Sequence, residues 1–544
     1  MKRTPSLLAS FAIITLVLAG QAAAGPGKSK LDVALQQAGP GAHRVIVSPV
    51  PGADLGTRLE ARGVTPSRKF RSQGRLAVEV TAETLATLAA DPDVLSVSED
   101  ATVTPASAMA ADQPGQASGF LRATLGLDAV SPTGKNVTVA IIDSGVKLSA
   151  DLAAHDIAFY DLASGEVRAA APYDDYGHGT HVAGLIAGAG DGSAGQYAGV
   201  APGARLVVFK VLDANGQGRT SDVITAIEFI LAHQHKLHVG IINLSIGHPI
   251  LEPAATDPLV QTIEEATRAG IVVVAAAGNY GINPATGEPG YTGITSPGNA
   301  PSAITVGALL AQGTISRSDD RVAPFSSRGP SWYDAYAKPD IVAPGDRLVS
   351  TAAEGSTLYT TYPTLRVAGS GSTPYMRLTG TSMATAVVTG VVALAMEEAG
   401  ANSGRGHGNT LSANTVKAML QYSAFPVLDQ AGLEFDALSE GGGGLNAAGV
   451  IQLAGAIDTG ADYGTAWIAP APVPSTTIGG ETLLWAQNIV WGAWKVPGSV
   501  FLSNYPCWAS NIVWGAPSQA ASAQNIVWGV KKDDARAQNI VWGV

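Results

Sequence analysis

Between residues 120 and 457 the chain alternates two textures. NVTVAIID, ARLVVFKVL, VGIINLSIG, GIVVVAAAGN and SAITVGAL are near-continuous apolar runs, and segments such as SDVITAIEFILAHQ and LVQTIEEATRAG between them carry the helical period. Unbroken apolar strands separated by helices predict an α/β fold, a parallel sheet covered by helices on both faces. In such a sheet, chemistry collects outside the carboxyl ends of the strands, where loops converge.

The flanks read differently. From His43, RVIVSPV, RLAVEV and DVLSVSED have strand texture, with helical stretches ADLGTRLEARG and AETLATLAADP between them. This predicts a small α+β unit over 43–105, after a Gly- and Ala-rich leader (25–42) and before an Ala/Gln/Pro/Gly-rich, exposed and cleavable stretch (106–119). Beyond 457 a Pro-rich linker (458–480) is expected, and then a Trp-rich tail (481–544) holding QNIVWG from Gln487, SNIVWG from Ser510 and two more NIVWG copies. Copies at Asn511, Asn525 and Asn539 are evenly spaced, and the alternation within NIVWG predicts short strands with one aromatic face. The tail is open to three readings: strands covering the 120–457 block or completing a minor sheet, an adhesive or sorting element for a cell surface or polymer, or a removable segment.

Composition narrows the function. Charged residues make up 14%, glycines number 64 and the formal charge is −11, which excludes nucleic acid as a partner because nothing neutralises phosphates. One cysteine, Cys507, rules out an intrachain disulfide and Cys-based metal sites. Residues 1–24 have the form of a signal peptide: basic Lys2 and Arg3, an apolar run from Leu7 to Ala19, and Ala22-Ala23-Ala24 as the cleavage site. The run is too short for a permanent membrane span, so the expectation is a secreted protein, in the periplasm, on the surface or in the medium.

Four residues carry candidate chemistry. Asp143 closes the strand VTVAIID before the turn Ser144-Gly145. His178 stands between Gly177 and Gly179 ahead of a small-residue helix. Asn279 closes VVVAAAGN, and Ser382 opens a strongly apolar helix after Gly380-Thr381. Alone, each has a bland reading: a helix cap for Asp143 or Ser382, a structural histidine, a turn asparagine. Together they supply an acid, a base, a hydroxyl nucleophile at a helix N-terminus and an amide donor for an oxyanion, the parts of an acyl-transfer site. His181, one turn beyond His178, reads as a packed histidine. His233, His235 and His238 fail as a metallopeptidase site, because the spacing is wrong and a general-base glutamate is lacking.

AIIDSGV, GHGTHVAG, INLSIG, AAAGN, FSSRGP, KPDIVAPG and GTSMATA resemble, in order, the signature segments of subtilisin-like serine proteases. The resemblance covers 120–457. It implies a secreted serine endopeptidase acting on polypeptide substrates, with Asp143, His178 and Ser382 as triad and Asn279 as the oxyanion-hole side chain. Ser245, Ile246 and Gly247, with Ala276, Ala277 and Gly278, would flank the substrate chain. It implies that 43–105 is a propeptide that inhibits the enzyme and is removed by self-cleavage, that catalysis needs no cofactor or metal, and that structural calcium is compatible with the family. The acidic SDD loop (318–320) does not spell a calcium site. Ile246 stands where many members carry leucine, and the stretch from Gly345 to Gly380 is longer than in compact members, a candidate loop over the cleft. The rival class, a catalytically silent scaffold with the tail as its binding module, is disfavoured because all four catalytic positions are filled.

Overall fold

The computed structural model describes residues 29–106, 121–155, 157–162, 165–369, 371, 373–402, 411–459, 461, 465–491, 494–497, 501, 513–514 and 527–528. The expected signal peptide (1–24), most of the expected processing stretch (106–119) and most of the last three repeat copies lie outside these residues.

All five apolar runs become strands of one nine-stranded sheet. Ile304–Leu310, Val272–Ala276, Val239–Leu244, Thr138–Asp143 and Arg205–Lys210 lie side by side and parallel, with antiparallel pairs only at the edges. The central strand shows why its residues are apolar without alternation. Val139 and Ile141 face a core containing the helices His178–Ala187 and Thr381–Asn402, whereas Ala140 and Ile142 face a second core under Thr220–Ala232 and Pro258–Arg268. A strand buried on both faces has no position left for a polar side chain. Asp143 is the last residue of that strand and pairs in register with Lys210, so both sit at the carboxyl edge of the sheet. The Thr381–Ala401 helix is long and apolar enough to cross a membrane by length and composition, and most of it is buried in the first core.

The N-terminal unit is built on an antiparallel sheet that runs Arg68–Lys69, Leu76–Thr81, Ala42–Pro49, Val94–Glu99. Leu55–Ala61 and Ala82–Ala90 cover one face over a core of Val45, Val47, Leu59 and Leu88. The other face, through Ile46, Phe70 and Ala77, joins the second core of the large sheet. The leader takes part as well: Asp32 caps the short helix Val33–Gln36, and Val33 N–H donates to Leu251 O at 3.2 Å.

The C-terminal side departs from the expected linker. Ser475–Ile478 and Glu481–Leu484 form a hairpin, and Trp467, Ile478, Trp485, Ile489 and Phe501 enter the first core. The first NIVWG copy is the strand Asn488–Trp491, paired with Trp494–Pro497 and laid along the helix Ala413–Tyr422, where Val490 N–H donates to Gln421 Oε1 at 3.2 Å. Val513–Trp514 and Val527–Trp528, from the second and third copies, pair with each other in parallel.

Candidate active site

Asp143 and His178 meet at the carboxyl edge of the sheet, both fully buried, with His178 Nδ1 2.8 Å from Asp143 Oδ1 and 3.0 Å from Oδ2. Two glycines permit this approach. A Cβ on Gly145, at φ +118°, would lie 2.2 Å from Tyr173 O, and one on Gly179 would lie 2.2 Å from Gly145 O. The turn after Asp143 and the start of the His178 helix are thereby pressed backbone to backbone.

Asp174 locks that contact and was not singled out from the sequence. Its carboxylate accepts from Gly177 N (2.7 Å), Thr180 N (2.9 Å), Thr180 Oγ1 (2.6 Å) and Ser144 Oγ (2.9 Å). It serves as the missing cap of the His178 helix, whose N-cap Gly177 has no side chain, and ties the helix to the residue after Asp143. The only sequence signal was its place three residues ahead of that glycine. His181 is a packed histidine: its Nε2 lies between Leu348 O and Met376 O, and burial, aided by His178, pushes its pKa down to about 3.

Ser382 stands in the first turn of the Thr381–Asn402 helix. Its Oγ donates to Ser245 O at 2.8 Å, and His178 Nε2 has no hydrogen-bond partner among the described residues. Asn279 Oδ1 accepts from Thr381 N at 3.0 Å, and Gly278 N donates to Thr381 Oγ1 at 3.2 Å, so the Asn279 turn and the Ser382 helix start are pinned together.

The cleft is filled by the chain's own strand Thr102–Pro105, which lies antiparallel between Gly218–Arg219 and Ile246–Pro249. Ala106 follows. Its N–H donates to Ser245 O and its carbonyl oxygen accepts from Ser382 N, each at 3.0 Å. Ser245, Ile246 and Gly247 thus form one flank. Gly218–Arg219, which the sequence did not single out, lies on the strand's other side. No hydrogen bond among the described residues joins Ala276, Ala277 or Gly278 to the filling strand; Ala277 bonds instead to Val306 and Thr295.

The long 345–380 stretch folds rather than looping freely. Leu348–Thr351, Tyr375–Leu378 and Arg366–Val367 make a small sheet, and Thr357 and Leu358 donate to Asp175 O and Tyr176 O beside the His178 helix. The carboxylates of the SDD loop are already engaged within the protein. In the SDD loop Asp320 is paired with Arg317 at 2.5 Å and Asp319 accepts from Thr314 Oγ1, and among the described residues no group of three His, Cys, Asp or Glu could hold a metal. His233 is stacked on Phe229.

Residues 134–450 match the profile of the subtilase family, peptidase S8. This chain is a subtilase. It is 41% identical over 271 residues to serine protease AprX of Bacillus subtilis, covering 49% of this chain and 58% of that protein. To subtilisin E of the same organism it is 36% identical over 267 residues, covering 49% and 57%. The alignments therefore span under two thirds of these relatives. M-protease of Shouchella clausii is 35% identical over 330 residues, 61% of this subtilase and 71% of the relative. Fervidolysin from Fervidobacterium pennivorans shares the fold, with a TM-score of 0.58 at 22% identity over 78% of this chain and 64% of that one.

Proposed function

We propose that this subtilase is a secreted serine endopeptidase, exported by its 1–24 segment and made with an inhibitory propeptide that it cuts at the Ala106–Ser107 bond. The observation that carries the reading is the 3.0 Å bond from Ser382 N–H to the Ala106 carbonyl oxygen. An N–H at a helix start, donating to a carbonyl next to a serine hydroxyl, is the arrangement that stabilises an oxyanion.

The reaction runs on four groups. Ser382 Oγ turns from Ser245 O to His178 Nε2, gives its proton to that nitrogen and attacks the carbonyl carbon. The carbonyl π pair moves to oxygen, where Ser382 N–H and the Asn279 amide receive the charge. Asp143 holds the His178 Nδ1 proton and steadies the imidazolium. The tetrahedral centre then expels the amine, protonated by His178, and leaves an ester on Ser382. Water, deprotonated by His178, adds to the ester, and Ser382 Oγ departs with the proton. Removing one oxyanion donor raises the barrier by about 3–4 kcal/mol, a magnitude that comes from subtilisin, a member of this same family.

Polypeptide substrates enter as an added strand between Gly218–Arg219 and Ile246–Pro249, the place now taken by Thr102–Pro105. The same strand makes the propeptide an inhibitor after the cut. In the tail, the first repeat copy serves as packing for the catalytic domain, supported by the burial of Ile489 and Val490.

The test is the intact mass of the exported protein, wild type beside Ser382→Ala. The wild type should separate into pieces ending at Ala106 and beginning at Ser107, and the variant should keep that bond. An uncut wild type, or a variant cut at the same bond, removes self-processing.

A further inference from the structure

The strand Val239–Leu244 runs buried between two apolar strands, yet its penultimate residue is an asparagine. Asn243 is fully buried and lies in register with Ile141 on one side and Val274 on the other. An amide in such a place costs free energy unless its polar atoms are paired. Its oxygen accepts from Thr389 Oγ1 at 2.9 Å, and its nitrogen donates to Ser245 Oγ at 3.0 Å. Ser245 Oγ in turn donates to the carbonyl oxygen of Ser382 at 3.0 Å.

These contacts close a ring between the strand end and the Thr381–Asn402 helix. Ser382 and Thr389 lie about two turns apart on one side of the helix, and Asn243 and Ser245 alternate with Leu244 onto one side of the strand end. Fastened at two points, the helix is held against sliding or turning on the strand. Thr389 serves this contact rather than its own helix. Thr385 donates to Thr381 O at 2.7 Å, the usual bond of a helical threonine, whereas Thr389 donates across to Asn243.

The ring fixes the distance between two groups that grip the same residue. Ser245 O accepts from Ala106 N–H and from the Ser382 hydroxyl, and Ser382 N–H donates to the Ala106 carbonyl oxygen. By donating to Ser245 Oγ, Asn243 leaves that hydroxyl's proton for Ser382 O.

We propose that Asn243, with Thr389 as its anchor, is a positioning residue that sets the nucleophile's helix against the strand end holding the residue before the cut. It acts through Ser245: among the described residues its side chain has no hydrogen bond to Ala106, Asp143, His178 or Ser382. The inference rests on the protease reading. A displacement of about 1 Å between reacting groups lowers a rate on the order of a hundredfold. Exchanging both partners of a buried hydrogen bond for apolar groups of the same shape, by contrast, leaves stability almost unchanged. Loss of the ring therefore separates positioning from support of the fold.

The test compares wild type with Asn243→Leu/Thr389→Val, Thr389→Val and Thr389→Ser. Each is followed for the rate of self-cutting at Ala106–Ser107 by intact mass, and for melting temperature. After processing, kcat and KM are read on Val-Thr-Pro-Ala p-nitroanilide, which copies residues 103–106. The double variant should melt close to wild type, cut itself ~30-fold or more slowly, and lose kcat by a like factor with KM within about threefold. Thr389→Ser, which keeps the hydroxyl, should match wild type, and Thr389→Val should fall between. A double variant that folds and cuts at the wild-type rate overturns the inference. If the double variant does not fold, the single variants decide. Equal rates in Thr389→Val and Thr389→Ser overturn the inference, and a slow valine beside a fast serine upholds it. A wild type that cuts neither itself nor the peptide removes the protease reading, and this inference with it.

Discussion

Ser382 N–H holds the Ala106 carbonyl oxygen at 3.0 Å while Ala106 N–H is held by Ser245 O at the same distance. One residue is therefore gripped through both its N–H and its carbonyl at the start of the Ser382 helix. A second set of contacts, through Arg71, Ser72 and Arg75, holds the N-terminal unit to the helices Thr220–Ala232 and Pro258–Arg268.

Asp174 keeps Asp143 and His178 in register without touching substrate. Asp174→Ala leaves two N–H groups and two hydroxyls without their acceptor. The expected loss of stability is about 2–4 kcal/mol, read by denaturant unfolding, with kcat falling more than KM rises. Asp174→Asn, which keeps one acceptor oxygen, should recover part of kcat. An unchanged kcat in Asp174→Ala would remove its positioning role.

Glu228 accepts the backbone N–H groups of Arg71 (2.9 Å) and Ser72 (2.8 Å), so it holds the N-terminal unit by main chain. If that unit is the proposed propeptide, Glu228→Ala should release it about tenfold faster after the cut, seen as a shorter lag before proteolytic activity appears. Equal lags would place the hold elsewhere, with Arg75 the next candidate. That arginine is fully buried and bonded to Pro258 O, Thr262 and Gln261.

Glu252 gives the hold a pH dependence. Burial, then Asp257 and the leader's Asp32, push it from an ordinary 4.5 up to about 8. The part of that rise that docking of the N-terminal segment supplies, through added burial and Asp32, makes docking take up a proton and weaken as pH rises toward about 8, by at most tenfold per unit. The lag should therefore shorten across that window in wild type. Glu252→Gln, uncharged throughout, should flatten the curve; a curve of the same slope would assign it to other groups.

Several described residues after 457, Trp467, Ile478, Trp485, Ile489 and Phe501, belong to the core. Trp485 is 3% exposed, packs edge-on to Tyr422 and donates to Thr476 Oγ1 at 2.8 Å. Trp485→Ala should cost about 3–5 kcal/mol in thermal or denaturant unfolding. Ending the chain after Ser503 should leave the melting temperature near wild type, while ending it after Ile457 should abolish cooperative unfolding. A chain ending at Ile457 that melts like wild type would refute this.

Much of this was legible where the pattern is local. The five apolar strands, the Asp143 strand end and the small-residue helix after His178 follow from residues within one element. What escaped was supplied by partners far along the chain. Thr102–Pro105 becomes a strand only because Gly218–Arg219 and Ile246–Pro249 stand on either side of it, so its strand character could not be read from its own residues. The prolines near 470 suggested an extended linker, yet Ile478 and Trp485 find a core nearby and draw the segment onto it. Gly218–Arg219 was missed because two residues carry no period. Asp174 was missed because a capping residue and a surface loop aspartate look alike until the helix beside it is in place.

The seating of the first NIVWG copy divides the four repeats into two kinds. Ile489 and Val490 are held by the Ala413–Tyr422 helix and by the hairpin that delivers them, and Phe501 is the last described residue in the core. A change in the first copy is answered by the whole domain. The described strands of the second and third copies, Val513–Trp514 and Val527–Trp528, pair with each other instead, a parallel bond between repeats rather than between a repeat and a helix.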